Sequence, residues 1–540
     1  MKKSIYFILA GFLLTAGCSK SFLDQEISAK REVKNFYKTP EHIYSALMDN
    51  YSALQNDGLT NARWVFGDIG SDDALKGGES VGDAPEFEQI LENRPQATNG
   101  TVRDLWVGSY NGIAKANIIL SKIDGVPFPT DDAGQKLKKR YRAEALFLRA
   151  FNYWYIAMAF GDAPLLTNAV IDFADIDPKK LARKPVADIW KLVETDLAEA
   201  IPNLPSKAQL SADKQLGRAT KGAGQALLAK ALMFQRKYNE AVPVLKALIE
   251  DAGEYSLLND YGRIFRSEGE FSTENIFEIN FINQASGWGD DCEGSPRVVF
   301  QMSRGDWGFG FNQPTQDLAD EFEPGDPRII YTINWPQDEF KAGVPQKNDQ
   351  FNPYGYSNRK IYTIESERTS DVFCSGKNEI IFRLADMYLL YAEALTQSSS
   401  ADYTKAVNYV NLVRTRANQT PKVDPQRAVQ QHTVEPVALP MRIFTSKEKL
   451  LQDIYHERRV ELAMEEIRLW DLIRQNRTSL LAEYYKEWGV TKGFESKGDL
   501  KGKFYTQWIS QLGKADYPVF PVPQSEIDAS QGNLTQTNGY

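Results

Sequence analysis

Ala229-Lys230-Ala231-Leu232 is followed by Tyr238-Asn239-Glu240-Ala241-Val242, and Ala392-Glu393-Ala394-Leu395 is followed by Tyr403-Thr404-Lys405-Ala406-Val407. The second gap is two residues longer than the first, which a loop absorbs. Small alanines let two helices cross closely, and an aromatic residue at the turn closes the groove between them. The echo predicts tetratricopeptide-like helical hairpins. Ala143-Glu144-Ala145-Leu146 repeats the first half of the pattern without the second.

Outward from these hairpins the helical period continues. Leu105, Tyr110, Ile113, Ala114, Asn117 and Leu120 fall at helical steps from Val102 onward. Arg140–Phe160 reads as a strong helix closed by Gly161 and Pro164, and Pro185–Ala200 as another opened by its proline. The period predicts helices over Thr220–Phe234, Glu240–Glu250, Glu379–Gln397, Thr404–Asn418 and Thr445–Asn476, the last opened by a Thr445/Glu448 capping box. Residues 19–45 read as a tether and a first helix, Asn50–Asn99 as a helix and a long loop, and Tyr517–Tyr540 as an extended tail. The fold class is therefore mainly α: a helical scaffold over about 35–270 and 379–540.

Between about 271 and 378 the composition changes. Gly, Pro, Asn and aromatics rise and the helical period stops, with Glu274–Ile282 alternating like a strand. This loop-rich segment with short strands holds Gly287-Trp288-Gly289, Asp306-Trp307-Gly308, Asn334-Trp335-Pro336 and Tyr354-Gly355-Tyr356. No helix face is there to bury these rings. Rings interleaved with Asp, Asn and Arg suit sugars, which offer an apolar C–H face and a hydroxyl rim. Trp288, Trp307, Trp335 and Tyr354 are the ligand candidates, joined by Asp73 of the Asp72-Asp73 carboxylate pair. Alternatively the rings pin long loops to the helical body.

Other chemistry is thin. The chain has 540 residues, a net charge of −9 and no basic tract, which excludes a nucleic-acid surface. Its three His and three Cys have no metal spacing, so no metal or cofactor is expected. His456-Glu457-Arg458-Arg459 begins like a zinc motif, but Val460 stands where the second His belongs. Arg458, Glu461, Glu465, Arg468 and Asp471 form a mixed-sign stripe, read as an ion-pair seam between helices. Asp320, Glu321, Glu323 and Asp326 lack EF-hand order. Cys292 and Cys374 allow a disulfide or two buried thiols equally.

Met1-Lys2-Lys3, the apolar run Ile5–Leu14 and Leu14-Thr15-Ala16-Gly17-Cys18 read as a signal peptide over 1–17 ending in a bacterial lipobox. Thr15 stands where the motif usually has Leu. Cys18 is the expected site of lipidation, with 18–540 as the mature unit. Ser19, rather than Asp, follows it, which by the bacterial sorting rule favours the outer membrane.

Several segments together resemble the SusD/RagB family of outer-membrane nutrient-binding lipoproteins. They include Cys18–Asp24, Arg142–Phe151 followed by Phe160–Leu165, Phe322–Arg328, Arg383–Ala394, Val413–Ala417, Glu457–Leu462 with Arg468–Leu472, Pro521–Ile527 and Leu534–Tyr540. Glu466 stands where the family usually has Gly, and Thr537-Asn538 where it has Asn-Pro. The resemblance implies a tetratricopeptide-like scaffold carrying a loop-rich ligand surface, with binding and no catalysis. It implies capture of oligosaccharides on the extracellular face, lipid anchoring, and delivery to a SusC-like TonB-dependent transporter. Peptide or glycopeptide capture is the alternative, and a surface glycoside hydrolase a rival of another class. The resemblance also allows ligand contacts from Asp72–Asn99, where Phe87 is present but no Trp or Tyr.

Overall fold

The computed structural model describes residues 36–540 apart from 81, 94, 170–176, 284–292, 346–353, 370, 482 and 485–519. The signal peptide, Cys18 and the tether lie outside the described residues.

The N-terminal half is built on long helices. In order come α1 (Pro40–Ser52), α2 (Asp57–Trp64), the strand β1 (Ala74–Gly77), α3 (Pro85–Leu91), α4 (Gly100–Lys122) and α5 (Asp132–Phe160). The side chains of Asn56, Asn99 and Asp131 each accept a first-turn backbone N–H and so start α2, α4 and α5. α5 runs for 29 residues and ends where Gly161 takes a positive φ of 64°. It lies between α4 and α6 (Val186–Ala200), and every residue from Ala143 to Phe160 is buried. A two-residue pairing, β2 (Ala163–Pro164) with β3 (Arg183–Lys184), ties its exit to the start of α6. α7 (Lys207–Ala212) follows behind a Ser206/Gln209 capping box, then α8 (Lys221–Phe234) and α9 (Tyr238–Lys246). Asn50–Asn99, expected as a helix and a long loop, holds the helix α2, but the loop is broken up by β1 and α3, and all three are buried along much of their length. Its polar residues misled the reading because they are used inside the protein.

In the middle segment β4 (Asn275–Ile279) is buried at all five positions. Phe277 packs on Phe147 and Phe151, while Glu278 accepts from the Asn378 amide. Then come α10 (Arg297–Gln301), β5 (Phe311–Pro314), α11 (Gln316–Glu321), α12 (Ile329–Thr332), β6 (Ile333–Asn334), β7 (Glu339–Lys341), β8 (Val344–Pro345), β9 (Ser357–Asn358) and β10 (Glu379–Arg383). All pairings are antiparallel and two-stranded: β1 with β5, β4 with β10, β6 with β9 and β7 with β8. Glu379–Arg383 was expected as helix. Ile380, Ile381 and Phe382 favour the strand that completes β4, and the helix begins only at Leu384.

That helix, α13 (Leu384–Gln397), forms a hairpin with α14 (Tyr403–Gln419), and α9 packs on α13. The two echoing sequence patterns are thus two helical hairpins laid against one another. The expected single helix over Thr445–Asn476 is two, α15 (Lys447–Leu462) and α16 (Arg468–Arg474), and Ser446 rather than Thr445 caps the first. Met464 and Glu466 sit at φ of 62° and 67° and break the rod. Glu466 donates its backbone N–H to Asp68 Oδ1 at 2.8 Å, and a Cβ on Gly67 would lie 2.1 Å from the Glu466 carbonyl oxygen. A left-handed position explains why Gly suits it. Here a Glu occupies it and its side chain pairs with Arg297 at 2.9 Å. The tail contains a short helix, α17 (Gln524–Ala529), rather than running extended throughout. Phe520 stacks 4.4 Å from Phe66 and binds the end of α5 through Ala159 O. One apolar core runs from Ile43 on α1 to Leu534 in this tail.

Candidate ligand-binding site

The charged stripe lies in the interior. Arg328 binds Asp326, Glu457 and Glu461, and Arg383 binds Glu274, Glu461 and Glu465 at 2.6–3.1 Å. Arg416 adds a further pair to Glu461. Burial raises the Glu461 carboxyl, but Arg416, Arg383 and Arg328 override it and hold it well below the usual range. Arg458 pairs with Asp471, and Arg474 with Glu393 and Asp471. These groups are spent on each other, so the stripe is a seam that locks α15 and α16 to their neighbours.

An open groove of about 610 Å³ lies elsewhere, in the loop-rich segment. Three pieces build it: the turn at Gly305–Trp307, the β7–β8 hairpin, and the loop from Tyr362 to Arg368. The turn is tight. Asp306 and Gly308 donate backbone N–H groups to Ser303 O, and a Cβ on Gly308 would lie 2.1 Å from Met302 O. Trp307 is thereby held at φ 67°, a conformation that costs a bulky residue on the order of 1–2 kcal/mol.

Rings and guanidinium groups alternate along the groove. Arg368 lies 5.2 Å from the Trp307 ring and 5.5 Å from that of Tyr362. Tyr362 stacks on Phe340 at 3.9 Å and 23°. Arg359 approaches Phe340 at 4.9 Å and Tyr362 at 5.5 Å. Asp306 fixes the order: its carboxylate accepts from Arg368 at 2.9 and 3.1 Å and from the Tyr362 hydroxyl at 2.5 Å. Burial and the Asp306 charge push the Tyr362 phenol far above its ordinary range. Burial works against the Arg368 charge, and the Asp306 hydrogen bond outweighs it and raises the group. Phe340 and Trp307 are half-buried, and Tyr362 is buried beneath them. The arrangement offers ring area beside fixed hydrogen-bonding groups.

The sequence candidates have separate fates. Trp307 stands beside this groove. Trp288 lies outside the described residues, as do Cys292 and the Asp290-Asp291 pair. Trp335 stacks on His432 at 4.4 Å and meets Tyr356 at 5.7 Å, and Tyr356 stacks on Tyr354 at 5.7 Å. This cluster is braced: Trp335 donates its backbone N–H to Asp338 and its ring packs on the core, and the Tyr356 hydroxyl donates to Gln316. Asp73 is fully buried with Arg459 on its Oδ1 at 2.9 Å. Burial pushes its carboxyl up, while Arg459 and Arg468 hold its neighbour Asp72 down despite burial. Phe87 is buried between Trp64 and Phe311. Glu321, Glu323 and Asp326 are taken by His456 and Arg partners, and among the described residues no group of side chains suits a metal ion. Cys374 is disulfide-bonded, with its partner outside the described residues.

Sequence reading missed Phe340, Tyr362 and Arg368. Phe340 sits in a three-residue strand and Arg368 far along the chain from Asp306, with no pattern linking them. The one usable signal was the aromatic enrichment of the whole segment.

Residues 273–540 match a family described as the SusD family, and residues 22–233 match one described as starch-binding and associating with the outer membrane. A SusD-like protein of Formosa agariphila is 25% identical, with 96% of each chain covered. One from Bacteroides ovatus is 22% identical, covering 98% of this chain and 94% of the other. Among solved structures, a laminarin-binding SusD-like protein superimposes with a TM-score of 0.68 at 26% identity, covering 93% of this chain and all of the other. Surface glycan-binding protein A from Bacteroides thetaiotaomicron, solved with laminarihexaose, gives 0.71 at 22% identity with the same coverage. Among the described residues no helix is long and apolar enough to cross a membrane.

Proposed function

Since this chain belongs to the SusD family, we propose that it captures oligosaccharides at the cell surface and passes them to a TonB-dependent outer-membrane transporter. In this reading it binds and does not catalyse, and acylated Cys18 anchors it to the outer membrane. The observation that carries the reading is the groove in which Phe340 presents ring area beside Asp306 and Arg368, with the Trp307 ring next to it against Arg368. Aromatic faces receive sugar C–H faces, and a carboxylate held by a guanidinium accepts hydroxyls without reorganising. The laminarin-binding relative supports a glycan over a peptide.

A glycan array probed with the soluble mature protein tests the ligand class. Binding to at least one oligosaccharide is expected, and peptide binding without any glycan would give the alternative precedence. Replacing Cys18 with Ser should release the protein from membrane fractions, and retention would defeat the anchor. Native co-purification from mild detergent should bring down a large barrel protein, and a lone monodisperse monomer would count against the partnership.

A further inference from the structure

We infer that the groove selects neutral oligosaccharides and turns away uronic-acid and sulfated ones. This rests on the sugar-binding reading above and adds the charge class of the ligand. Among the described residues, four charged ones line the groove: Asp306 and Glu365 against Lys341 and Arg368. They are matched in pairs. Lys341 donates to both Glu365 oxygens at 2.9 and 3.3 Å. Arg368 commits its Nη1 and Nη2 to Asp306, its Nη2 also to the Tyr362 hydroxyl at 3.2 Å, and its Nε to Thr363 O at 2.9 Å. Behind the rings, Arg359 is given to Asp424 at 2.8 Å and Gln426 at 2.6 Å. Arg427 donates its Nη2 to the carbonyls of Ile330 and Ile333, and its Nη1 and Nε face the carboxylates of Asp338 and Asp424 at 3.6 and 3.7 Å. Both are buried below the ring layer.

A ligand carboxylate or sulfate needs a cation with donors to spare. Arg368 could supply one only by leaving Asp306, placing a half-buried carboxylate without its partner next to the incoming anion, and Lys341 only with the Glu365 carboxylate standing beside that anion. Both effects oppose binding, because a desolvated charge stripped of its partner is strongly unfavourable. A neutral sugar asks for none of this. It needs ring area, which Phe340 offers with Trp307 beside the groove, apolar rim, which Val344, Pro345 and Ile364 offer, and acceptors for hydroxyls, which Asp306 offers. The groove is thus electrically balanced before the ligand arrives, and the balance itself is the selector.

The test is calorimetric titration of the mature protein at low salt. The probes are neutral glucan, mannan and xylan oligosaccharides, compared with oligogalacturonate, oligoalginate and sulfated galactan oligosaccharides of matched length. Expected is binding of at least one neutral series, with every acidic series at least 10-fold weaker. An acidic series that binds as tightly as the best neutral one would overturn the inference and leave the sugar-binding reading standing. No binding by any series would overturn the reading and the inference with it. Glu365→Gln sharpens the result, because it strips Lys341 of its partner at an exposed position where folding is not at risk. The ratio of acidic to neutral affinity should rise roughly 2- to 5-fold. An unchanged ratio would also overturn the charge-balance argument.

Discussion

Arg383 and Arg368 stand in similar company and do opposite work. Each has carboxylates on its edge and aromatic rings over its face: Tyr261 and Phe265 for Arg383, Trp307 and Tyr362 for Arg368. Arg383 is 2% exposed and meets three glutamates, so its donors close on the protein and nothing is left over. Arg368 is 13% exposed and meets one aspartate at the wall of an open groove. The ring over it remains half-buried with a side toward solvent. The same residue types thus give a lock where every face is covered and, in the proposed reading, a recognition surface where one is left open. Burial separates the two, and residue identity does not.

The comparison can be broken most forcefully in the seam. Arg383→Ala should cost about 3–5 kcal/mol of stability, because Glu461 and Glu465 lose a buried partner. Denaturant unfolding is the measurement, and a midpoint near that of the parent would show that the seam is slack. Next comes pH. Burial opposes the His456 charge, but the hydrogen bond to Glu321 and the Glu323 carboxylate 3.4 Å from the other ring nitrogen override it and push the imidazole from 6.5 up to about 9. Its contribution is therefore full below about 6.5 and is lost as pH rises through about 9. That is a loss of up to roughly 3 kcal/mol. Melting curves across that window should show the decline, and His456→Gln should flatten it.

The groove should respond in affinity. Trp307→Ala should weaken glycan binding roughly 5- to 150-fold, as the loss of an aromatic anchor worth about 1–3 kcal/mol implies. Its melting temperature should move far less than that of Arg383→Ala. A large drop in stability with unchanged affinity in the folded fraction would make Trp307 a brace like Trp335. The smallest effect belongs to Lys341→Ala. Its pair with Glu365 is exposed on both sides, so stability should change by less than about 1 kcal/mol.

Much of the scaffold was legible because long helices advertise a period. α6, α8, α9 and α14 fall within a few residues of their sequence limits, while α5 starts earlier at its polar N-terminal turns and α13 starts later, after the Glu379–Arg383 strand. The failures occurred where distant residues overrule local pattern. Glu379–Arg383 runs straight into the period of α13 and separates from it only because β4 pairs with it. The break at Met464–Glu466 has no proline or glycine to announce it, being imposed by Gly67 and Asp68 on another element. The site was legible only as an enrichment in aromatics. Both Trp335 and Trp307 pack on buried apolar clusters, and they differ in the neighbour on the ring: His432 stacked on Trp335, Arg368 beside Trp307.

The clasp between Asp68–Asp73 and the α15–α16 region also sets a timetable. Asp73 waits for Arg459 across 386 residues, Asp72 for Arg468 across 396, and Asp68 for the Glu466 amide across 398. At about 5–20 residues per second of synthesis, those partners arrive roughly 20 to 80 s later. Until then three carboxylates destined for the interior stay hydrated, and α2 and β1 cannot settle. Contacts of such span make for slow, late folding. The first half of the chain is therefore kept soft until the second half is present, and a fragment ending before residue 459 should emerge as an unfinished, protease-sensitive intermediate.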